Sequence, residues 1–305
     1  QHLRSAEEYS HLAEAAVCRS QADWLVGMNA TRAYTTKYFK KLTVGRVQTP
    51  TLAMLVERAG QISNFQKEKY FNVELDCDGI PAVKPKIFDP DEAEQLRSRC
   101  QGSEAIVTAV KETEKKVKAP KLYDLTTLQR EANRIYGMTA KQTLDTAQNL
   151  YEKKLITYPR TDSQYLTEDM EQTARNVVRQ IYEKYQLTGP FDQPEQPDVK
   201  KVMNNSKVTD HHAIIPTMEL SSCHLDELKS WEEKILFLIA VHTVMAMSKE
   251  HVYQETEIEV ECQGEIFKAK GKTVLQDGWK LFENCFKNKD RMAIVDPDQE
   301  MKEKI

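Results

Sequence analysis

The chain lacks an apolar run long enough to cross a bilayer: its longest, Ile235 to Met247, is interrupted by His242. This excludes a helical membrane span. Its six cysteines, at 18, 77, 100, 223, 262 and 285, contain no Cys-x-x-Cys pair and no regular spacing. A zinc ribbon and a disulfide framework are therefore excluded, and reduced cysteines in a cytoplasmic protein are expected. There is no internal repeat and no low-complexity tract. The first residue is Gln1, not Met, and Ser5-Ala-Glu-Glu8 reads as a capping box opening a helix, so the expectation is an excised piece that starts within folded structure.

One further absence is local. No acidic residue falls between Asp23 and Glu57, whereas Arg32, Lys37, Lys40, Lys41 and Arg46 do, interleaved with Tyr34, Tyr38 and Phe39. The net charge of -4 alone speaks against a nucleic-acid partner, but charge acts through its distribution. Cations mixed with aromatics suit a groove that holds phosphates and stacks bases. They suit a solvated helix face equally well, and the stretch itself does not separate the two.

At 305 residues, 40% hydrophobic and 30% charged, the chain has the composition of a globular protein of two or three domains. Phe71, Val73, Leu75 and Cys77 alternate with polar residues, and Thr256, Ile258, Val260 and Cys262 alternate with four glutamates; both patterns predict half-buried strands. Helical patterns lie between them. Asp124 is placed to cap a helix that stops at Gly137, and Thr139-Ala-Lys-Gln142 to open the next. A third helix follows Thr167, with Met170, Ala174, Val177, Val178, Ile181 and Tyr185 on one stripe before Gly189-Pro190. Lys111 to Lys121 reads as a lysine-rich linker into this helical insertion.

The chemistry concentrates in three segments. In Leu155-Ile-Thr-Tyr-Pro-Arg-Thr-Asp-Ser163, Pro159 biases Tyr158 toward an extended backbone, on which Tyr158 and Arg160 share a face. A phenol beside a guanidinium fork can serve phosphoryl transfer, although a tyrosine before proline also packs in ordinary loops. The second segment, Asp210-His-His-Ala-Ile-Ile-Pro-Thr217, sets histidines before an apolar tripeptide that anchors them. Adjacent histidines point apart on most backbones and no cysteine lies close, which argues against a metal site. In the third, Leu42 to Leu52, Thr49 is placed to cap a helix with Pro50 at its first position; Arg46 and Gln48 lie just before an end that attracts phosphate.

Taken with Ala22-Asp-Trp-Leu-Val-Gly-Met-Asn29, Thr31-Arg32-Ala33, Val44 to Pro50 and Tyr123 to Asn133, these segments resemble the type IA DNA topoisomerases, most of all the bacterial topoisomerase III branch. The resemblance covers nearly the whole chain. It implies that Tyr158 attacks a single-stranded DNA phosphodiester and stays on the 5′ phosphate while another strand passes, with Arg160 and His211 at the reacting phosphate. It also implies a single-strand groove lined by Arg19, Arg32, Arg46, Gln48 and Gln148, and an accessory helicase as a possible partner.

The implied fold is a multidomain α/β arch of the family's toroidal type, mainly helical with a smaller antiparallel β hinge domain, and incomplete here. Its expected parts are a helical base segment at 1–66, a hinge in two parts at 67–118 and 251–287, an inserted helical domain with the tyrosine at 119–250, and a return to the base at 288–305. The family's magnesium is implied with ligands in an N-terminal Toprim domain expected to be missing, and no metal site is assigned to this chain. Asp296-Pro-Asp298 lies on the wrong side of Tyr158 to replace it. Val241-His-Thr243 stands where such relatives often carry arginine. A tyrosine recombinase is excluded because no histidine is followed by arginine in a His-x-x-Arg arrangement. The remaining rival is a module that binds single-stranded DNA without cutting it.

Overall fold

In the first of the chain's two units, residues 1–71, a short 3-10 turn at Ala6–Tyr9 precedes the long helix α1, Ser10–Tyr38. The computed structural model describes residues 5–187, 197–283 and 286. Ser5 accepts a bond from the Glu7 amide at 3.4 Å, so it caps the 3-10 turn and not an α-helix. α1 ends where Phe39 turns left-handed, at φ 51°. The following loop is tied back to α1 by threonines: Leu42 N–H donates to Thr35 Oγ1 at 3.2 Å, and Val44 N–H to Thr31 Oγ1 at 2.9 Å.

Helix α2 spans Gln48–Ser63 with Val47 at its cap, which corrects the expected cap at Thr49 and first helical position at Pro50. Thr49 lies in the first turn, and its hydroxyl instead accepts from the Gly45 amide at 3.0 Å. Pro50 remains tolerable there because the first-turn N–H groups have no intrahelical partner.

Among its described residues the second unit, residues 72–305, contains one sheet and one helical body. The strands are β1 (Phe71–Cys77), β2 (Ile80–Ile87), β3 (Ile106–Val117), β4 (His251–Cys262) and β5 (Glu265–Gln276), in the spatial order β1-β2-β5-β4-β3. Two tight turns set the hairpins. Asp78-Gly79 and Gln263-Gly264 each place both central residues at positive φ, the conformation of a two-residue hairpin turn that matches strand twist.

Helix α3 (Pro90–Cys100) buries Ala93, Leu96 and Cys100 against Val73, Ala82, Val260 and Phe267 of the sheet. The alternation in β1 and β4 is read out there: Val73, Val260 and Cys262 are buried and Leu75, Cys77 and Ile258 pack beside them, while Phe71 stays exposed. The expected linker at Lys111–Lys121 is mostly strand, since β3 runs to Val117 along β4. Its lysines lie opposite the acidic strand, with Lys111 aligned to Glu257, and opposite charges across a ladder stabilise pairing.

The helical body comprises α4 (Leu125–Tyr136), α5 (Ala140–Glu152), α6 (Glu171–Tyr185) and α7 (Ser230–Ala246). Capping boxes at Asp124–Thr127 and Thr139–Gln142 open α4 and α5, and Gly137 closes α4 at φ 69°. α6 buries Ala174, Val177, Val178 and Ile181, after a 3-10 turn at Glu168–Met170 that delays its start past Thr167. Its expected stop at Gly189-Pro190 lies outside the described residues. α7 is the apolar core helix, and no described helix is long and apolar enough to cross a membrane.

Candidate active site

Leu155, Ile156, Ile214 and Ile215 are buried in the helical core, and this burial brings two segments about fifty residues apart in sequence into register. Ile156 and Pro216 form an antiparallel bridge; Thr157 N–H donates to Ile215 C=O and Thr217 N–H to Leu155 C=O, each at 3.0 Å. A second bridge joins Tyr123 and Ile214.

Threonine hydroxyls complete the stitching. Thr157 Oγ1 donates to Ala213 C=O at 2.9 Å and accepts from Ile215 N–H at 3.0 Å. Thr161 Oγ1 donates to His211 C=O at 3.1 Å, and the Thr217 hydroxyl donates to Lys154 C=O. Thr161 C=O in turn accepts from Leu125 N–H at 3.1 Å, hooking the loop onto the start of α4.

These bonds leave Tyr158 half-buried with its ring against His211, centroids 4.3 Å apart and planes at 45°. Tyr151, from the last turn of α5, meets the same ring edge-on at 5.4 Å. Arg160 is exposed, and among the described residues it makes no ion pair. Its guanidinium is thus available to an anion. The two histidines do diverge: His211 faces Tyr158, whereas His212 Nδ1 lies 2.9 Å from Ala213 C=O.

The expected groove residues are distributed unevenly. Gln148 lies three residues before Tyr151 on α5, on the same helix face, with its amide on Glu152 at 3.2 Å. In the first unit, Arg46 Nη1 is engaged by the Asp23 carboxylate at 3.0 Å and the Arg19 carbonyl at 3.5 Å, so a phosphate must compete for it. Gln48 opens α2 with its side chain folded over Gly45, where an added Cβ would meet Nε2 at 2.9 Å. Arg19 and Arg32 are exposed on α1, and helix geometry turns them about 140° apart, so they do not share one face.

Sequence reasoning missed Tyr151, Thr157 and Thr161 as parts of this site. The threonines flank Tyr158 in the motif itself, but their partners come from a distant segment. His242 stacks on Tyr123 with centroids 3.7 Å apart and donates from Nε2 to Lys121 C=O at 2.7 Å. Burial holds its imidazole down at about 4, against the opposing effects of that bond and of Glu131.

Among the described residues, no group of three or more His, Cys, Asp or Glu side chains is arranged to hold a metal ion. Asp296 and Asp298 lie outside the described residues.

A model of the DNA topoisomerase family matches residues 7–304. The chain belongs to that family. DNA topoisomerase 3 of Bacillus subtilis strain 168 is 42% identical over 310 residues, an alignment covering 98% of this chain and 41% of the relative. DNA topoisomerase 3 of Bacillus licheniformis is 40% identical over 293 residues, covering 91% of this chain and 39% of that relative. The structure of full-length topoisomerase I from Thermotoga maritima matches with a TM-score of 0.68 at 27% identity, covering 88% of this chain and 45% of that one. The type IA, topoisomerase III resemblance read from the motifs is thus supported by both sequence and structure. The chain spans about two fifths of the length of the curated relatives it matches.

Proposed function

We propose that this chain carries the strand-cleaving tyrosine of a type IA topoisomerase, and that Tyr158 is that tyrosine. The observation that supports this most directly is the seat of the phenol: half-buried between His211 and Tyr151, two residues from a guanidinium with no ion-pair partner among the described residues. In the proposed step the Tyr158 oxygen bonds to a backbone phosphorus, the bond from phosphorus to the 3′ oxygen breaks, and the phenolic proton leaves as the 3′ oxygen gains one. The product is a 5′-phosphotyrosine and a free 3′ hydroxyl, and resealing is the reverse; the covalent link conserves the energy of the broken bond.

Arg160 stabilises charge on the phosphate oxygens through its planar fork, and His211 contacts the phosphate or a departing oxygen. Single-stranded DNA is the substrate, passage of a second strand changes topology, and the family's magnesium and any helicase act through parts other than the residues described. Within the cell this reading places the protein in the cytoplasm with the nucleoid. The toroidal arch and the division into base, hinge and insertion belong to the same proposal.

The test is covalent capture. The chain is incubated with magnesium and a 3′-labelled single-stranded oligonucleotide, denatured, and examined for labelled DNA on protein, beside Tyr158→Phe. Adduct present in the wild type and absent from Tyr158→Phe is the expected result. Adduct that survives the substitution sinks the assignment, and DNA binding without adduct favours the non-cleaving clamp.

A further inference from the structure

Away from the Tyr158–His211 pair, the structure gathers uncompensated positive charge at a second place. Lys207 Nζ lies 5.0 Å and Lys121 Nζ 5.5 Å from the centroid of the Tyr165 ring. Each of the three residues is held by its backbone. Lys121 C=O accepts from His242 Nε2 at 2.7 Å, Lys207 C=O accepts from Ser163 Oγ at 2.9 Å, and Tyr165 C=O accepts from Ala213 N–H at 2.9 Å.

Neither ammonium has a carboxylate partner among the described residues. Other lysines of the same unit differ: Lys153, Lys268 and Lys270 each pair with a glutamate at 3.0 Å or less. Lys121 also borders an open pocket of about 310 Å³ whose lining includes Arg130, Glu131 and Gln164. The Tyr165 phenol registers this field. Partial burial pushes it up, but the bonds and charges of Lys121 and Lys207 outweigh that and hold it below the usual tyrosine range.

We propose that Lys121, Lys207 and Tyr165 bind a backbone phosphate of single-stranded DNA beside the one at Tyr158. Ammonium groups act on phosphate as point charges that need no fixed approach, and a tyrosine between them adds a hydroxyl donor and a ring on which a base can stack. The place suits a strand crossing the active site. Tyr165 is bonded to Ala213, which is bonded to Thr157, the residue before Tyr158. The proposal rests on the reading of the chain as a single-strand DNA enzyme.

Fluorescence anisotropy with a labelled oligothymidylate, titrated across potassium chloride concentrations, tests it on the full chain. Each phosphate neutralised on a single strand contributes about 0.7 to the slope of log affinity against log salt, so the Lys121→Gln/Lys207→Gln pair, which removes both cations from one phosphate, lowers that slope by about 0.7 and weakens binding roughly 5-fold at 0.1 M salt. Both lysines are exposed, so the substitution spares the fold; Lys111→Gln/Lys115→Gln, on the edge strand β3, removes the same charge elsewhere and leaves the slope near wild type. A wild type that binds while the Lys121/Lys207 variant keeps its slope overturns this site and leaves the proposed function standing. Equal losses in both variants overturn it as well, since the effect then follows net charge. A wild type with no salt-dependent binding removes the functional reading and this site together.

Discussion

Replacing Thr157 by valine keeps the shape of the residue before the nucleophile and deletes one oxygen. That oxygen makes two bonds, to Ala213 C=O at 2.9 Å and from Ile215 N–H at 3.0 Å. Ala213 C=O retains its contact with His212 Nδ1, but the Ile215 amide has no other backbone partner and lies in a residue that is 1% exposed. An orphaned buried donor costs about 1–3 kcal/mol, so a loss near 2 kcal/mol is expected. For a unit of this size that lowers Tm by about 4–8 °C. Thr157→Ser keeps both bonds and forfeits a methyl group, a change of about 1 kcal/mol or less. Thermal unfolding of the three proteins separates these values, and the DNA adduct falls in the valine variant while persisting in serine. A valine variant within about 0.5 kcal/mol of wild type refutes the claim that this hydroxyl joins the two loops.

Two further outcomes concern pH. Between about pH 6.5 and 4 the unfolded chain binds a proton at His242 that the folded chain refuses, so stability falls on acidification by on the order of 3 kcal/mol, and urea unfolding of His242→Phe at several pH values shows a flatter limb. Coincident profiles of variant and wild type disprove the neutral imidazole. Glu232 is 3% exposed and paired at 2.6 Å with Lys153; burial raises its carboxyl, but the Lys153 bond and the Lys229 amide lower it more, so it stays below the usual glutamate value. Its contribution is present above the unfolded value and is lost as pH falls through the lowered one. Lys153→Met costs about 1–2 kcal/mol at pH 7, discounted because Lys153 is 42% exposed, and chemical unfolding shows the gap to wild type closing in acid. A gap that widens in acid reverses the sign of this argument.

What was legible in the sequence is what local chemistry decides. Asp124, Gly137 and Thr139 act as caps because a cap bonds within three or four residues of itself, and the α6 stripe is buried because its period matches the helix. Thr49 was misplaced by the same logic: the Gly45 amide competes for its hydroxyl, and the helix gains a turn position before it. β3 looked like a linker because its lysines and glutamates resemble a solvated tract, and only the acidic strand opposite turns that composition into a ladder. Within the candidate site, Tyr158 and His211 could be named from their motifs. Tyr151 could not, since its contact depends on where α5 ends relative to a loop, and neither could the engagement of Arg46, in the loop before α2, by Asp23 of α1.

The arrangement of threonines gives the site its rigidity without regular structure. Short β-branched side chains have few rotamers and can donate to a carbonyl without a ladder. Thr157 and Thr161 lie on either side of Tyr158, and their hydroxyls bond the carbonyls of Ala213 and His211, two residues apart on the facing loop. The two bonds tie residues four apart on one loop to residues two apart on the other, and the ring of His211 is held beside that of Tyr158 by bonds that neither ring makes. Loss of the Thr161 hydroxyl releases the histidine side of that frame, whereas loss of the Thr157 hydroxyl releases the tyrosine side. The distance between a phenol and the imidazole that meets it is thus set by backbone carbonyls and hydroxyls, which explains why the motif carries threonine at positions that contribute nothing to charge.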